Sequence, residues 1–454
     1  MLPSRRSLAS LTLAAPAAGR FIIDGQAAVA LADLRDAAPF AAPLEAFRDK
    51  AVVLATDRQM TTALAAIALD GIARRLFFCT PDLTPRLPSI LVETGADVVV
   101  SDRPLPPCDV PLITCSDDLL VPVTPTSRDV ETEWVLFTSG TTGMPKMVVH
   151  TLAGLSGPLD DGVFVSQGTV WSTFYDIRRY GGMQIMLRAL LGGGSLVLSH
   201  ASEPVAAYLQ RLSGQGVTHI SGTPSHWRRA LMSPAIVTFA PRYVRLSGET
   251  ADQAILDRLR DAFPTANVAH AFASTEAGVG FDVRDGKAGF PADFIPYPNE
   301  NRSIEMKVAN GTLRIRSTRT ARGYLGTHRL PAEDGFIDTG DLVEQRGDRY
   351  YFMGRREGVI NVGGQKVFPE EVETVLTQHP DVLLARVWPR KNPIMGAVVA
   401  ADLVLRPAAK ADFATIRNAL LARCRQTLAP HKVPVSWHLM DNIEMTASGK
   451  VKRA

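Results

Sequence analysis

The sequence predicts an α/β protein: a large N-terminal domain of parallel sheets covered by helices, carrying a β-rich subdomain, and then a small α+β C-terminal domain. Three observations lead there. From Lys50 onward short apolar runs alternate with helix-like stretches, the rhythm of a parallel sheet covered on both faces. Between Arg302 and Tyr351 the texture changes to short strand-like pieces separated by Gly and Asp turns. At 454 residues the chain exceeds one ordinary core, and the section after Gly354 is long enough to fold as a small unit.

The elements follow in order. AVVLA (51–55) reads as a buried strand, TTALAAIALDGIARR (61–75) as an amphipathic helix, and LFFCT (76–80) and ADVVVSD (96–102) as strands. The rhythm returns with the strands SLVLS (195–199), THISG (218–222), YVRLSG (243–248) and NVAHAF (267–272), between the helices EPVAAYLQRL (203–212) and ADQAILDRLRDAF (251–263). IEMKV (304–308), TLRIRS (312–317), LVEQ (342–345) and RYYFM (349–353) are the strands of the β-rich part. The last section offers the helix PEEVETVLTQH (369–379), the strand AVVAADLVL (397–405) and the helix 413–429.

Composition bounds the function. With 46% hydrophobic and 21% charged residues the chain reads as a soluble globular protein. A net charge of +3, with no long run of like charge, argues against a nucleic-acid partner. No stretch approaches the ~20 continuous apolar residues of a membrane-spanning helix. Four cysteines without metal-ligand spacing point to a reducing, cytoplasmic setting. The first twenty residues carry Arg5 and Arg6 before an Ala-rich stretch, which reads as the start of the first domain or as a targeting segment.

One stretch is wrong for a packing element. In FTSGTTGMPK (137–146) an apolar strand empties into Thr138, Ser139, Gly140, Thr141, Thr142 and Gly143, which bury almost nothing. Such a loop can wrap backbone N–H groups and hydroxyls around phosphate oxygens. Met144 and Pro145 separate Gly143 from Lys146, so it is not the nucleotide-triphosphate loop of ATPases, where glycine directly precedes the lysine.

FTSGTTGMPK closely resembles the phosphate-loop signature of the adenylate-forming superfamily, which includes acyl-CoA synthetases, nonribosomal peptide synthetase adenylation domains and luciferase. Four further stretches resemble that family's motifs in its order: FASTE (272–276), FIDTGDL (336–342), GRREGVINVGGQKVFPEEVE (354–373) and MTASGKVKR (445–453). The resemblance implies ATP-dependent conversion of a carboxylic acid to an acyl-adenylate and then acyl transfer to a thiol, coenzyme A or the phosphopantetheine of a carrier protein. A binding protein that has lost catalysis is the third class, and the intact Lys146, Glu276, Asp341 and Lys450 argue against it.

The resemblance also implies roles. The loop from Thr138 to Lys146 holds the β- and γ-phosphates of ATP, Glu276 lies near a magnesium ion, and Thr275 donates near the α-phosphate. Asp341 accepts from the ribose hydroxyls, supported by Arg355. Lys450 reaches the carboxylate and α-phosphate, and Gly363 and Gly364 belong to the thiol tunnel. His226, Trp227 and Arg229 on GTPSHWRRALMSP (222–234), together with Ala273, are candidates to line the acyl pocket, and Arg229 to pair with a second carboxylate. Arg178, Arg179 and Tyr180 fall near the family's aromatic pocket segment. The domains are expected to be 1–356 and 357–454, the second mobile about Glu357. Three departures stand out: Ala273 for the usual glycine, Glu357 for the usual Asp or Lys, and Glu444 for the usual proline.

Overall fold

The computed structural model describes residues 7–14, 19–138, 145–157, 168–295, 304–326, 330, 332–406, 409, 411–444 and 451. Among these, most strands of the first two-thirds of the chain build two large sheets. One runs in the order Gly278–Val283, Asn267–Ser274, Tyr243–Ser247, His219–Gly222, Val170–Thr173, Ser195–Val197, Phe21–Ile23, Ala28–Ala30. The other runs Gly323–Tyr324, Lys146–Thr151, Glu133–Thr138, Arg75–Phe78, Ala51–Leu54, Val98–Ser101, Leu112–Thr114. Both are parallel in the middle, as the alternating pattern requires, and antiparallel at edges where a hairpin returns.

Side chains from both sheets meet in a common core with Leu54, Leu76, Trp134, Trp171 and Leu196. The helix Gln59–Leu69 is buried on every side within it, so the amphipathic helix expected there is an enclosed one. Its Ala-rich sequence allows this close approach. The helix Leu8–Ala14 joins the same core through Leu8 and Ala9. Its first N–H donates to Asp70 at 2.6 Å, and Asp70 also accepts from Trp134 Nε1 at 2.8 Å. Burial pushes the Asp70 carboxyl up to about 6.

The β-rich part is an antiparallel sheet in the order Phe290–Pro291, Arg349–Arg355, Phe336–Arg346, Thr312–Ser317, Ile304–Ala309. Beyond it, Gln365–Val367, Ile360–Val362, Gly396–Leu405 and Val382–Asn392 form a last sheet, which Ser436–Leu439 extends. The helices Pro369–Thr377 and Phe413–Thr427 cover it through Val372, Leu376, Ile416 and Leu420, a core separate from that of the large sheets. The turn Arg356–Gly358 connects the two sheets and contains the expected boundary.

Burial also silences histidines. His150, against Tyr180 at 5.6 Å between ring centroids, is pushed down to about 4 by desolvation. The unfolded chain takes up that proton near pH 6.5, so the stability gained by keeping His150 neutral is complete above pH 6.5 and is lost as pH falls toward 4. In urea titrations across this window His150→Gln should show a shallower fall of unfolding free energy, by up to about 1.4 kcal/mol per pH unit. Identical slopes in parent and variant would contradict this state of His150.

Candidate active site

The small-residue loop joins two paired strands. Glu133–Thr138 and Lys146–Thr151 run antiparallel with Lys146 opposite Thr138, and the Thr138 hydroxyl donates to the Lys146 carbonyl at 3.5 Å. Both ends of the loop are therefore fixed at the edge of the second sheet. Ser139, Gly140, Thr141, Thr142 and Gly143 lie outside the described residues, as does Lys450.

Thr275 and Glu276 occupy the turn between the strands Asn267–Ser274 and Gly278–Val283, after a register shift between Phe272 and Ala273. Ala273, Thr275 and Glu276 are all half-buried. This turn leaves the carboxyl edge of the first sheet, where ligands of open α/β sheets gather. Tyr324 connects the turn to the strand that follows the loop. The strand Gly323–Tyr324 pairs with Lys146–Thr151, and the backbone N–H groups of Arg322 and Leu325 donate to the carbonyls of Val149 and Met147, each at 2.8 Å. On the other side the Ala321 N–H donates to the Glu276 carbonyl at 2.9 Å. The Tyr324 hydroxyl donates to Glu276 Oε1 at 3.3 Å, and Lys146 Nζ lies 5.3 Å from the ring centroid. Burial and then the Glu276 charge raise the Tyr324 pKa, and Arg355 and Glu357 are near enough to act on it too.

Asp341 and Arg355 face one another on paired strands, with Arg355 Nε 2.9 Å from Asp341 Oδ1. The Thr339–Gly340–Asp341 run is part of the strand Phe336–Arg346, irregular just beyond at Leu342/Val343. Its side-chain hydrogen bonds are those of a turn nonetheless: the Gly340 N–H donates to Asp338 at 2.9 Å and the Asp341 N–H to Thr339 at 3.1 Å. Glu357 is exposed in the turn that follows Arg355. Gly363 and Gly364 form the two-residue turn between Ile360–Val362 and Gln365–Val367, with φ of 56° and 84° that a two-residue hairpin favours in glycine.

The acyl-pocket candidates separate. His226 is mostly enclosed, stacked on Phe174 at 5.3 Å, and its Nδ1 accepts from the Thr223 N–H at 3.1 Å. Burial, then the Arg229 charge, pushes it down to about 4, so it is neutral at pH 7. Arg229 is half-buried, its pKa lowered by desolvation against the opposing effect of Glu249. Trp227 does not join them. It is 0% exposed in the core between helix and sheet, edge-on to Phe263 and Phe174, because its position on the seven-residue helix Pro224–Ala230 turns toward the sheet. Arg178 is likewise committed, its Nε and Nη2 donating to Asp176 at 2.8 and 2.6 Å. Arg179 donates to the Phe137 carbonyl at 2.8 Å, at the root of the loop, and Tyr180 is buried beside His150.

Tyr324 and the Arg179 contact to Phe137 escaped the sequence reading. The only sequence signal for Tyr324 is a Gly-Tyr pair after Ala321 and Arg322, which has no periodicity to mark it. As for a metal, no group of three or more His, Cys, Asp or Glu among the described residues could cage one. A lone half-buried carboxylate such as Glu276 fits a magnesium ion held mainly by phosphate oxygens and does not fit a structural metal.

Two paired strands flanking a small-residue stretch, an acid tied to one of them through Tyr324, and a paired carboxylate–arginine are the features of a nucleotide-dependent α/β enzyme. The chain belongs to the AMP-binding enzyme family of the adenylate-forming superfamily: residues 47–325 match that family's model, and residues 371–450 match the AMP-binding enzyme C-terminal domain. It is 26% identical over 338 residues to the 2-succinylbenzoate–CoA ligase of Bacillus licheniformis, covering 70% of this chain and 68% of that protein. With the sulfoacetate–CoA ligase of Cupriavidus necator it shares 27% identity over 411 residues, 84% of this chain and 77% of the relative. In fold it is similar to the anthranilate CoA ligase AuaEII, crystallised with anthranoyl-AMP, at a TM-score of 0.81 and 19% identity over 99% of this chain and 96% of that one.

The turn at Glu276 depends on Gly278, whose φ is +81° and where a Cβ would lie 2.6 Å from the Arg319 carbonyl oxygen. Gly278→Ala should therefore lower stability by about 1–3 kcal/mol in urea unfolding. An unchanged midpoint would mean that the turn is not held against Arg319.

Proposed function

We propose that the protein is an AMP-forming acid–thiol ligase that activates a carboxylic acid with ATP and passes the acyl group to coenzyme A. The observation that carries this is the link from Lys146 through Tyr324 to Glu276, beside the Asp341–Arg355 pair. In the first half-reaction a carboxylate oxygen attacks the α-phosphorus and the bond to pyrophosphate breaks. Both reactants are anionic, so catalysis rests on fixed geometry and charge stabilisation. Thr138 to Lys146 hold the β- and γ-phosphates, and Thr275 donates near the α-phosphate. Asp341 accepts from the ribose hydroxyls, with Arg355 supporting the sugar. Glu276 would hold the magnesium, which when bound neutralises charge on the phosphate oxygens. Lys450 steadies charge developing at the α-phosphate. His226, Arg229 and Ala273 line the acyl side.

In the second half-reaction the thiol attacks the acyl carbon and the bond to the AMP oxygen breaks. Residues 357–454 turn about Glu357 between the halves, presenting Lys450 first and the Gly363–Gly364 turn second. A carrier protein is the alternative acceptor, since its phosphopantetheine shares the arm of coenzyme A. Among the described residues no helix is long and apolar enough to cross a membrane, and the four cysteines are free, which supports a cytoplasmic reading.

The test of the reading is to mix purified protein with ATP, magnesium, a panel of acids and CoA. Acyl-CoA, AMP and pyrophosphate are expected in equal amounts for at least one acid; ADP and phosphate in their place would refute it. Lys450→Ala should slow adenylate formation by about 10²- to 10³-fold and spare thioester formation from presynthesised acyl-adenylate. Wild-type adenylation in that variant would remove Lys450 from the site. For the hinge, Glu357→Pro, with φ fixed near −65°, should leave adenylation measurable and abolish thioester formation, while Glu357→Asp should be nearly silent. Equal loss of both halves in the proline variant, with an intact circular dichroism spectrum, would rule out alternation about Glu357.

A further inference from the structure

The segment Ala321–Leu325 has no assigned part in the chemistry, yet it touches both the strand of Lys146 and the turn of Glu276. Its backbone is tied on one side to the strand that begins at Lys146 and on the other to the carbonyl of Glu276. Tyr324 is placed by these ties. Its strand partner is Val148, two residues from Lys146, and side chains two apart on a strand share a face. So the Tyr324 ring comes alongside the Lys146 ammonium, 5.3 Å from its centroid, while the hydroxyl reaches across to Glu276 Oε1 at 3.3 Å.

These two contacts differ in kind. A ring near an ammonium attracts it through its quadrupole and favours one direction of a four-carbon side chain that is otherwise free. A phenol donating to one carboxylate oxygen restricts rotation of the Glu276 side chain. Lys146 is exposed and Glu276 half-buried, so each has rotamers to lose and neither is held by packing alone.

We propose that Tyr324 is a positioning residue for adenylate formation, aiming Lys146 through its ring and Glu276 through its hydroxyl, so that the phosphate cation and the acid of the metal site are set by one side chain. This rests on the ligase reading above. No step of acyl transfer to the thiol needs either group, so the effect belongs to the first half-reaction alone.

Two variants separate the contacts. Tyr324→Phe keeps the ring and removes the hydroxyl; Tyr324→Leu removes both. Each is assayed for adenylate formation, with KM for ATP and for the acid, for thioester formation from presynthesised acyl-adenylate, and for binding of ATP with and without magnesium by calorimetry. Tyr324→Phe is expected to lower the rate of adenylate formation about tenfold and to shrink the gain in ATP affinity that magnesium gives, with KM for the acid unchanged. Tyr324→Leu is expected to add a rise of about fivefold in KM for ATP that Phe does not show. Thioester formation from the presynthesised adenylate should stay at the wild-type rate in both. Equal loss in the two half-reactions would mean a structural role and overturn the proposal, as would adenylation and magnesium response like wild type in both variants. A wild-type protein that forms no adenylate with any acid would overturn the ligase reading and this inference together, whereas an active wild type with fully active variants overturns this inference alone.

Discussion

The antiparallel register that sets Lys146 opposite Thr138 is the constraint on which the rest of the site depends. Phe137 is almost fully buried and Thr138 only half, so the chain leaves the core within one residue. Seven residues then separate Thr138 from Lys146, and the hairpin obliges them to return to the same edge of the sheet. Large side chains are a liability where backbone N–H groups must approach an anion, and a run of Ser, Thr and Gly at this point suits the phosphate-holding role proposed for it. The same register gives Val148 and Val149 as the edge onto which Gly323–Tyr324 pairs, and that pairing places Tyr324 between Lys146 and Glu276.

Buried ion pairs hold the two large sheets in place around this hairpin. Arg178 forks onto Asp176 and donates to the Thr56 carbonyl, which ties the beginning of the helix Tyr180–Leu191 to the end of a strand in the second sheet. In the first sheet Arg245 pairs with Asp282 at 2.9 Å, fastening the edge strand that follows the Glu276 turn. Such pairs are poor sources of net stability, because desolvation offsets most of the attraction, but losing one partner leaves a buried charge and typically costs about 3–5 kcal/mol. Their effect is on placement: the chain crossings beside the loop have few alternative arrangements.

Much of this was legible in the sequence, and the limits have physical causes. A strand such as Ala51–Leu54 is a continuous apolar run because a central parallel strand is buried on both faces. Lys146–Thr151 and Gly278–Val283 are hard to single out, since a lysine, a histidine and glycines interrupt their pattern. Gln59–Leu69 was readable as a helix but not as an enclosed one, because its surroundings come from chain far away in sequence. The family was legible through ordered small-residue and acidic stretches. Trp227 was misplaced because a seven-residue helix carries too few turns to tell its faces apart. Tyr324 was missed because its importance comes from its neighbours, Lys146 and Glu276, which lie 178 and 48 positions away.

The central claim is that a carboxylate oxygen of the acid becomes bonded to the α-phosphorus of ATP at this hairpin and stays there when the thiol takes the acyl group. The most direct measurement supplies an acid labelled with a heavy oxygen isotope in both carboxylate positions and reads AMP and pyrophosphate by mass spectrometry after a complete turnover with CoA. One labelled oxygen in AMP and none in pyrophosphate is the expected result. Unlabelled AMP, or label in the released phosphate or pyrophosphate, would contradict the account.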